Sequence, residues 1–209
     1  MRWPITRLLT ALCVVALCAV AVSGGWKIVR FANARAAAPE HRADAVRPWT
    51  TVPGVASEAL AASLSNMTDT ADAAAARNRR DLLGAILEVR PLSSRTWLSL
   101  AGMRLVSGDA YDQTLAALAM SSLTGPNEGL VMLERGIFGL LQWELLPKEF
   151  RTRTITDLAG AISGSTVQDS AIAPAKGVLA VKPADVRLEI AGLLRAQGVA
   201  TNDLARLGL

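Results

Sequence analysis

Chemistry needs side chains that exchange protons, attack or ligate, and this chain of 209 residues holds few of them. Its one histidine is His41, and its two cysteines, Cys13 and Cys18, lie inside an apolar run. His41 stands in a proline-rich stretch, where a lone imidazole reads as a solvated side chain. Without a second His, Ser-His-Asp and Cys-His arrangements have nothing to use in the globular part. Without a Cys beyond Cys18, structural disulfides and Cys-based zinc sites are excluded there. No catalytic, cofactor-binding or metal-ligating residue is therefore assigned. The carboxylates remain. Glu128, Glu134, Glu144 and Glu149 could serve a hydrolase if two of them had pKa values pushed apart by an apolar setting. No two stand out in that way. Glu149 follows Pro147 in a first helical turn, where negative charge complements the helix dipole. Glu134 reads as a salt-bridge partner, for instance of Arg104. Arg77, Arg79 and Arg80 cluster on one helix, and with Asp72 and Asp81 close by they read as a charge-paired, solvated face.

The net charge of +4 and the pI of about 9.6 invite a nucleic-acid partner. The distribution argues against one. Arg2, Arg7, Lys27 and Arg30 face no acid in the first thirty residues, and of the 22 basic residues the other 18 are matched by 18 acidic ones. A nucleic-acid domain carries its basic face in its folded part. Here the excess flanks the apolar stretch Leu8–Val29, whose uninterrupted core is Leu8–Val22. That stretch reaches the roughly 20 residues a spanning helix needs, and Trp3 and Trp26 bracket it as interfacial aromatics do. Residues 1–30 read as an uncleaved signal anchor that meets the membrane through residues 8–29. A cleaved signal peptide is the alternative, with small-x-small sites at Ala19-Val20-Ala21 and Ala21-Val22-Ser23. The short basic n-region is the ordinary form of an export signal, and the Ala/Arg-rich, Lys-poor composition looks bacterial. Residues 31–209 are thus expected in the periplasm, behind a single-pass inner-membrane helix.

Residues 31–53, with three prolines and few large apolar side chains, read as a flexible linker. A helical pattern follows. Val55–Asn66 has Leu60 and Leu64 on one face. Thr70–Val89, capped by Thr68 or Asp69, carries Leu82, Leu83, Ile86 and Leu87 and stops before Pro91. Ser93 or Ser94 opens a third helix through Trp97, Leu98, Leu100, Ala101 and Leu105, closed by Gly108 as its C′ residue. Asp109–Leu123 comes next, then the break Gly125-Pro126-Asn127. Asn127–Leu146 is apolar nearly all round and so must be buried on most of its circumference. Gly129, Gly136 and Gly139 within it would let a neighbouring helix approach closely. Pro147–Ile162 puts Phe150, Thr154, Leu158 and Ile162 on one face. Ser163–Lys182 loses the period and reads as an irregular connection, with an extended piece at Val178–Val181. Pro183–Gln197 is a final helix ended by Gly198, and Thr201 starts a short tail helix.

Trp97, Leu100-Ala101, Gly108, Tyr111 and Pro126 together resemble one tetratricopeptide repeat, and ILEVRP ending at Pro91 resembles the close of the preceding one. Pro91 and Pro126 are separated by about the family's 34-residue period. Arg104 stands where the family usually has Tyr, and Thr114 where it has a small residue. The resemblance covers about residues 70–140. It implies an all-α fold, an antiparallel helix-pair stack behind the N-terminal helix, with a repeat-like domain over 54–164. Residues 165–209 would then hold the irregular connection and a capping helix. It also implies a non-enzymatic adaptor whose groove holds a protein partner in the cell envelope, with Arg95, Ser99, Arg104 and Arg135 as groove candidates. By family-level analogy the envelope role would be polysaccharide assembly or export. Two alternatives stand beside it: an exported carboxylate-dependent hydrolase, and a structural subunit held through its anchor helix. For the second, Ala16, Ala19, Ala21, Gly24 and Gly25 would allow helix–helix contact.

Overall fold

The computed structural model describes residues 3–37, 44–52, 55, 56, 58, 59, 61, 73–163 and 167–209. His41, Asp72, the capping positions Thr68 and Asp69, and most of the expected Val55–Asn66 helix lie outside the described residues. Among the described residues there is no strand, so the chain is all-helical. Its contacts group into two compact units, Met1–Arg90 and Pro91–Leu209.

In the first unit, α1 runs without interruption over Trp3–Arg35. Its stretch Leu12–Arg35, 24 residues, is long and apolar enough to cross a membrane; an 18-residue window of it has mean hydropathy 2.1 and no buried residue. The helix therefore outlasts the apolar run by a turn and a half. Where a flexible linker is expected over 31–53, the described residues 31–37 and 44–52 hold helical turns. Ala-rich FANAR keeps the helix going, and residues 44–52 fold into helical turns that include a 3-10 turn at Arg47–Trp49. Val46, Val55 and Ala59 bury themselves with Phe31, and Ala34, Trp49 and Val52 pack against them. The Trp49 and Phe31 rings lie 5.8 Å apart. Val46, Trp49, Val52 and Val55 recur every third residue, a helical spacing that Pro48 and Pro53 hide from a composition count. Glu58 accepts a hydrogen bond from Arg90 at 2.6 Å and faces Arg35 at 3.6 Å. Helix α2, Ala73–Val89, buries Ala76, Leu83, Ile86 and Leu87 along one face, as its spacing requires.

The second unit holds α3 (Ser94–Ser107), α4 (Tyr111–Thr124), α5 (Gly129–Leu141), α6 (Lys148–Ser163), α7 (Asp169–Ala180), α8 (Ala184–Ala196) and α9 (Thr201–Leu207). Helix α3 packs on α4. Helix α5 packs on α3, α6 and α7, while α8 meets α6 and α9, and α9 meets α7. Gly108 ends α3 at φ 77°, with its N–H on the Leu105 carbonyl and the Asp109 N–H on the Arg104 carbonyl. This is the paired bonding of a Schellman cap, and the left-handed φ is why glycine stands there.

Helix α5 is the centre of the unit. Val131, Met132, Leu133, Gly136, Gly139 and Leu140 are all buried. A methyl at Gly139 would fall inside the Thr154 side chain, and one at Gly136 inside that of Leu158, so these glycines set how closely α6 can lie. Gly129 has only Val167 near it and plays no such part. The helix is not apolar to its end. It stops at Leu141, and Gln142–Leu146 form a turn that swings Trp143 and Leu146 into the core, leaving Leu141 and Leu145 outside. That shortening removes the need to bury the whole circumference.

Within the expected irregular connection 163–182, residues 169–180 instead form α7. Ile172, Ala175 and Leu179 are its buried residues, at the i, i+3, i+7 spacing of a helix face. Pro174 and Gly177 mask that spacing in the sequence. Pro174, the sixth of the twelve residues of α7, lies inside the helix and forgoes one of its hydrogen bonds, a cost that the burial of Ile172, Ala175 and Leu179 offsets. The expected extended piece at Val178–Val181 is instead the last turn of α7 and its cap.

Candidate functional site

Where α4 ends, a hollow of about 270 Å³ opens between that terminus, α5 and α6. Ser122, Leu123 and Pro126 form one wall, Thr152, Arg153 and Thr156 the other, and Arg135 and Asp157 the floor. The floor is a buried ion pair. The Arg135 side chain is 1% exposed; its Nε donates to Asp157 Oδ2 at 2.9 Å and its Nη2 to Oδ1 at 2.7 Å. Its Nη1 donates to the carbonyls of Ser121 at 3.2 Å and Gly125 at 3.0 Å. Those carbonyls belong to the C-terminal end of α4, the negative pole of its dipole, where a cation is favoured. One guanidinium thus fastens three helices, with the side-on fork that matches a carboxylate.

Both partners sit where helical geometry makes them hard to solvate. Arg135 lies on α5, whose other buried residues are Val131, Met132, Leu133, Gly136, Gly139 and Leu140. Asp157 falls three residues after Thr154 and beside Leu158, on the face that α6 turns inward. Sequence reasoning noticed Arg135 and missed Asp157. The available signal was a lone acid on an otherwise apolar helix face.

The walls are less constrained. Thr152 and Thr156 donate their hydroxyls to the carbonyls of Lys148 and Thr152, each at 3.1 Å, and Ser122 to that of Leu118 at 3.4 Å. Their lone pairs stay free for a donor. Arg153 lies with its guanidinium 5.4 Å from the Phe150 ring centre. Among the described residues it meets no carboxylate, so the rim carries an uncompensated positive charge.

The four groove candidates do not gather into one surface. Arg135 is a buried fastener. Arg95 spends its charge on Glu134, at 2.7 Å, in an exposed pair joining α3 to α5. Glu134 therefore pairs with Arg95 and not with Arg104, the partner suggested from the sequence. Arg104 is half-buried and donates to the Gln113 carbonyl at 2.8 Å, tying α3 to the start of α4. Ser99 is exposed on α3. The helix pair α3–α4 also buries four hydroxyls with no hydrogen-bond partner: Ser94 Oγ, Tyr111 Oη, Thr114 Oγ1 and Ser121 Oγ. Burial pushes the Tyr111 phenol above its ordinary pKa.

The carboxylates do not converge on the hollow. Glu144 pairs through both oxygens with the Lys182 ammonium at 2.9 Å, and that hydrogen bond, helped by nearby positive charge, holds it below the ordinary glutamate range. A general acid needs the opposite shift. Glu128 and Glu149 are exposed. Among the described residues no three His, Cys, Asp or Glu side chains are grouped as metal ligands would be. Comparison of the chain with family models, with curated proteins and with solved structures returns no match.

Proposed function

We propose that this chain is a membrane-tethered, non-enzymatic helical adaptor, and that the hollow over Arg135 and Asp157 is where a protein partner at the bacterial cell envelope places an acidic side chain. The observation that carries this reading is the contrast between floor and rim. An internally neutral ion pair supports the site, and Arg153 above it meets no carboxylate among the described residues. A docked carboxylate would meet the Arg153 guanidinium in a setting already desolvated on one side, where charge-assisted bonds are strongest. The resemblance to tetratricopeptide repeats supports the same reading, with α3, Gly108 and α4 as one antiparallel helix pair in a stack. On that resemblance the anchored chain would serve envelope polysaccharide assembly or export, with residues 31–209 in the periplasm.

Full-length protein extracted in mild detergent and cross-linked to its neighbours tests the reading. A defined envelope protein should be captured by wild type, lost with Arg153→Glu, and retained by residues 31–209 alone. Capture lost on removal of residues 1–30 would transfer the role to the anchor helix. Cleavage of a glycan or peptide by the purified protein, abolished by Glu128→Gln or Glu149→Gln, would replace the adaptor with a hydrolase.

A further inference from the structure

The first unit places a folded segment at a definite height on α1. The apolar stretch ends at Val29, and Trp26, 64% exposed, marks the interfacial level where tryptophan settles. At about 1.5 Å per residue, Phe31 stands about 3 Å beyond Val29 and Arg35 about 9 Å beyond it. A bilayer adds roughly 5–8 Å of headgroups on each side of its hydrocarbon core. Whatever packs on Phe31 therefore lies within that layer if α1 spans the membrane. What packs there is Val46, Trp49, Val52 and Val55, the turns over residues 44–52 and their continuation.

The chemistry of this segment suits that position. Trp49 is half-buried against Phe31, with an apolar body and a polar N–H, the side chain that membrane interfaces favour. Arg47 has a side chain 80% exposed and only a loose, equally exposed pairing with Asp44 at 3.6 Å. Lys27 and Arg30 are exposed just below. Residues 26–59 carry five Lys and Arg against three carboxylates, and one of those, Glu58, is shared between Arg35 and Arg90. Basic residues at this depth are attracted by anionic lipid headgroups. We propose that residues 44–52, folded onto Phe31, form a collar seated in the headgroup layer, where Trp49 and the basic residues hold it to an anionic phospholipid surface. The proposal rests on α1 being an uncleaved, inserted anchor.

Site-directed spin labelling in nanodiscs separates the two claims. Full-length protein carrying one nitroxide is reconstituted in phosphatidylcholine alone and in phosphatidylcholine with 30% phosphatidylglycerol. One sample is labelled at Cys13 with Cys18→Ser, one at Thr51→Cys and one at Asn202→Cys, the last two with both native cysteines changed to Ser. Thr51 and Asn202 are exposed, so neither label disturbs a core. Contrast between oxygen and a nickel chelate reads depth. The label at 13 should report the hydrocarbon core, that at 51 the headgroup layer, and that at 202 bulk water. The label at 51 should lie deeper with phosphatidylglycerol present and lose that gain with Arg47→Gln. A label at 13 in water overturns the anchor itself. A label at 13 in the core with one at 51 as wet as 202 overturns the collar alone. Equal depth at 51 in both lipids overturns the role assigned to charge.

Discussion

Arg135 and Asp157 show how much one side-chain pair can decide. Two charges taken out of water cost several kcal/mol each, and their attraction offsets this only when every donor is satisfied. Here the guanidinium is satisfied by a carboxylate and two helix-terminal carbonyls. Removing one partner strands the other in the interior. Asp157→Ala should therefore destabilise the second unit by about 3 kcal/mol, with a Tm lower by about 10 °C. Arg135→Met combined with Asp157→Leu should recover most of the loss, because an apolar pair of similar volume carries no desolvation cost. Urea denaturation followed by circular dichroism measures both; equal losses in the single and double variants would mean the pair is not what fastens the helices. Tyr111 gives the opposite sign. Its buried hydroxyl has no partner, so Tyr111→Phe removes a desolvation penalty without removing a bond and should leave stability unchanged or slightly raised. The raised phenol pKa adds a pH signature. Above the ordinary tyrosine range the unfolded chain loses this proton before the folded one does. That contribution to stability is whole below the range and is lost as pH rises through it. Tyr111→Phe should thus make melting less sensitive to alkali, measured as Tm against pH.

At the level of elements, the crossing of α5 and α6 depends on residues that lack side chains. The space for a Cβ at Gly139 is already taken by the Thr154 side chain, down to its own Cβ, which cannot swing aside. Gly139→Ala should cost about 1–3 kcal/mol by overpacking, although alanine is the better helix former. Gly84, on an open face of α2, should gain from the same change, since nothing lies within 4 Å of it. Chemical denaturation of the two variants gives the signs, and a gain at both positions would mean the helices can part without penalty. This part of the fold was legible, because two glycines in an apolar helix have few other uses. Helix α7 was not. Its inward spacing, Ile172, Ala175 and Leu179, was present but interleaved with Pro174 and Gly177, which weigh against a helix in any reading by propensity. The segment after α1 escaped for the same reason, since Pro48 and Pro53 outweighed Val46, Trp49 and Val52. In both, tertiary packing overrode local preference. The hollow lay beyond the sequence altogether. It needs Ser122, Arg135 and Arg153 brought together from three helices, and of the four candidates nominated on the resemblance only Arg135 lines it; Arg95, Ser99 and Arg104 do not.

For the molecule as a whole, the division at Arg90 and Pro91 separates two requirements. Among the described residues, the apolar cluster around Phe31 draws on residues between Phe31 and Ala59. The large core of the second, from Met132 to Leu207, draws on none of them. The hollow and every bond of its floor also fall within 91–209. A unit of this length is large enough to bury a core of its own, and most of its contacts join helices near one another in sequence, a topology that folds readily. Residues 91–209 expressed alone should therefore be soluble, helical by circular dichroism and cooperative on heating, with Asp157→Ala lowering the midpoint in the fragment as in the full chain. If the adaptor reading is right, the fragment should also bind the captured partner with the affinity of the full chain, since the membrane helix contributes position and not contact. A fragment that melts without a transition would mean that α3 and α4 need the first unit to complete their packing. A folded fragment that has lost the partner would place recognition before residue 91, and the hollow would then be a structural joint and nothing more.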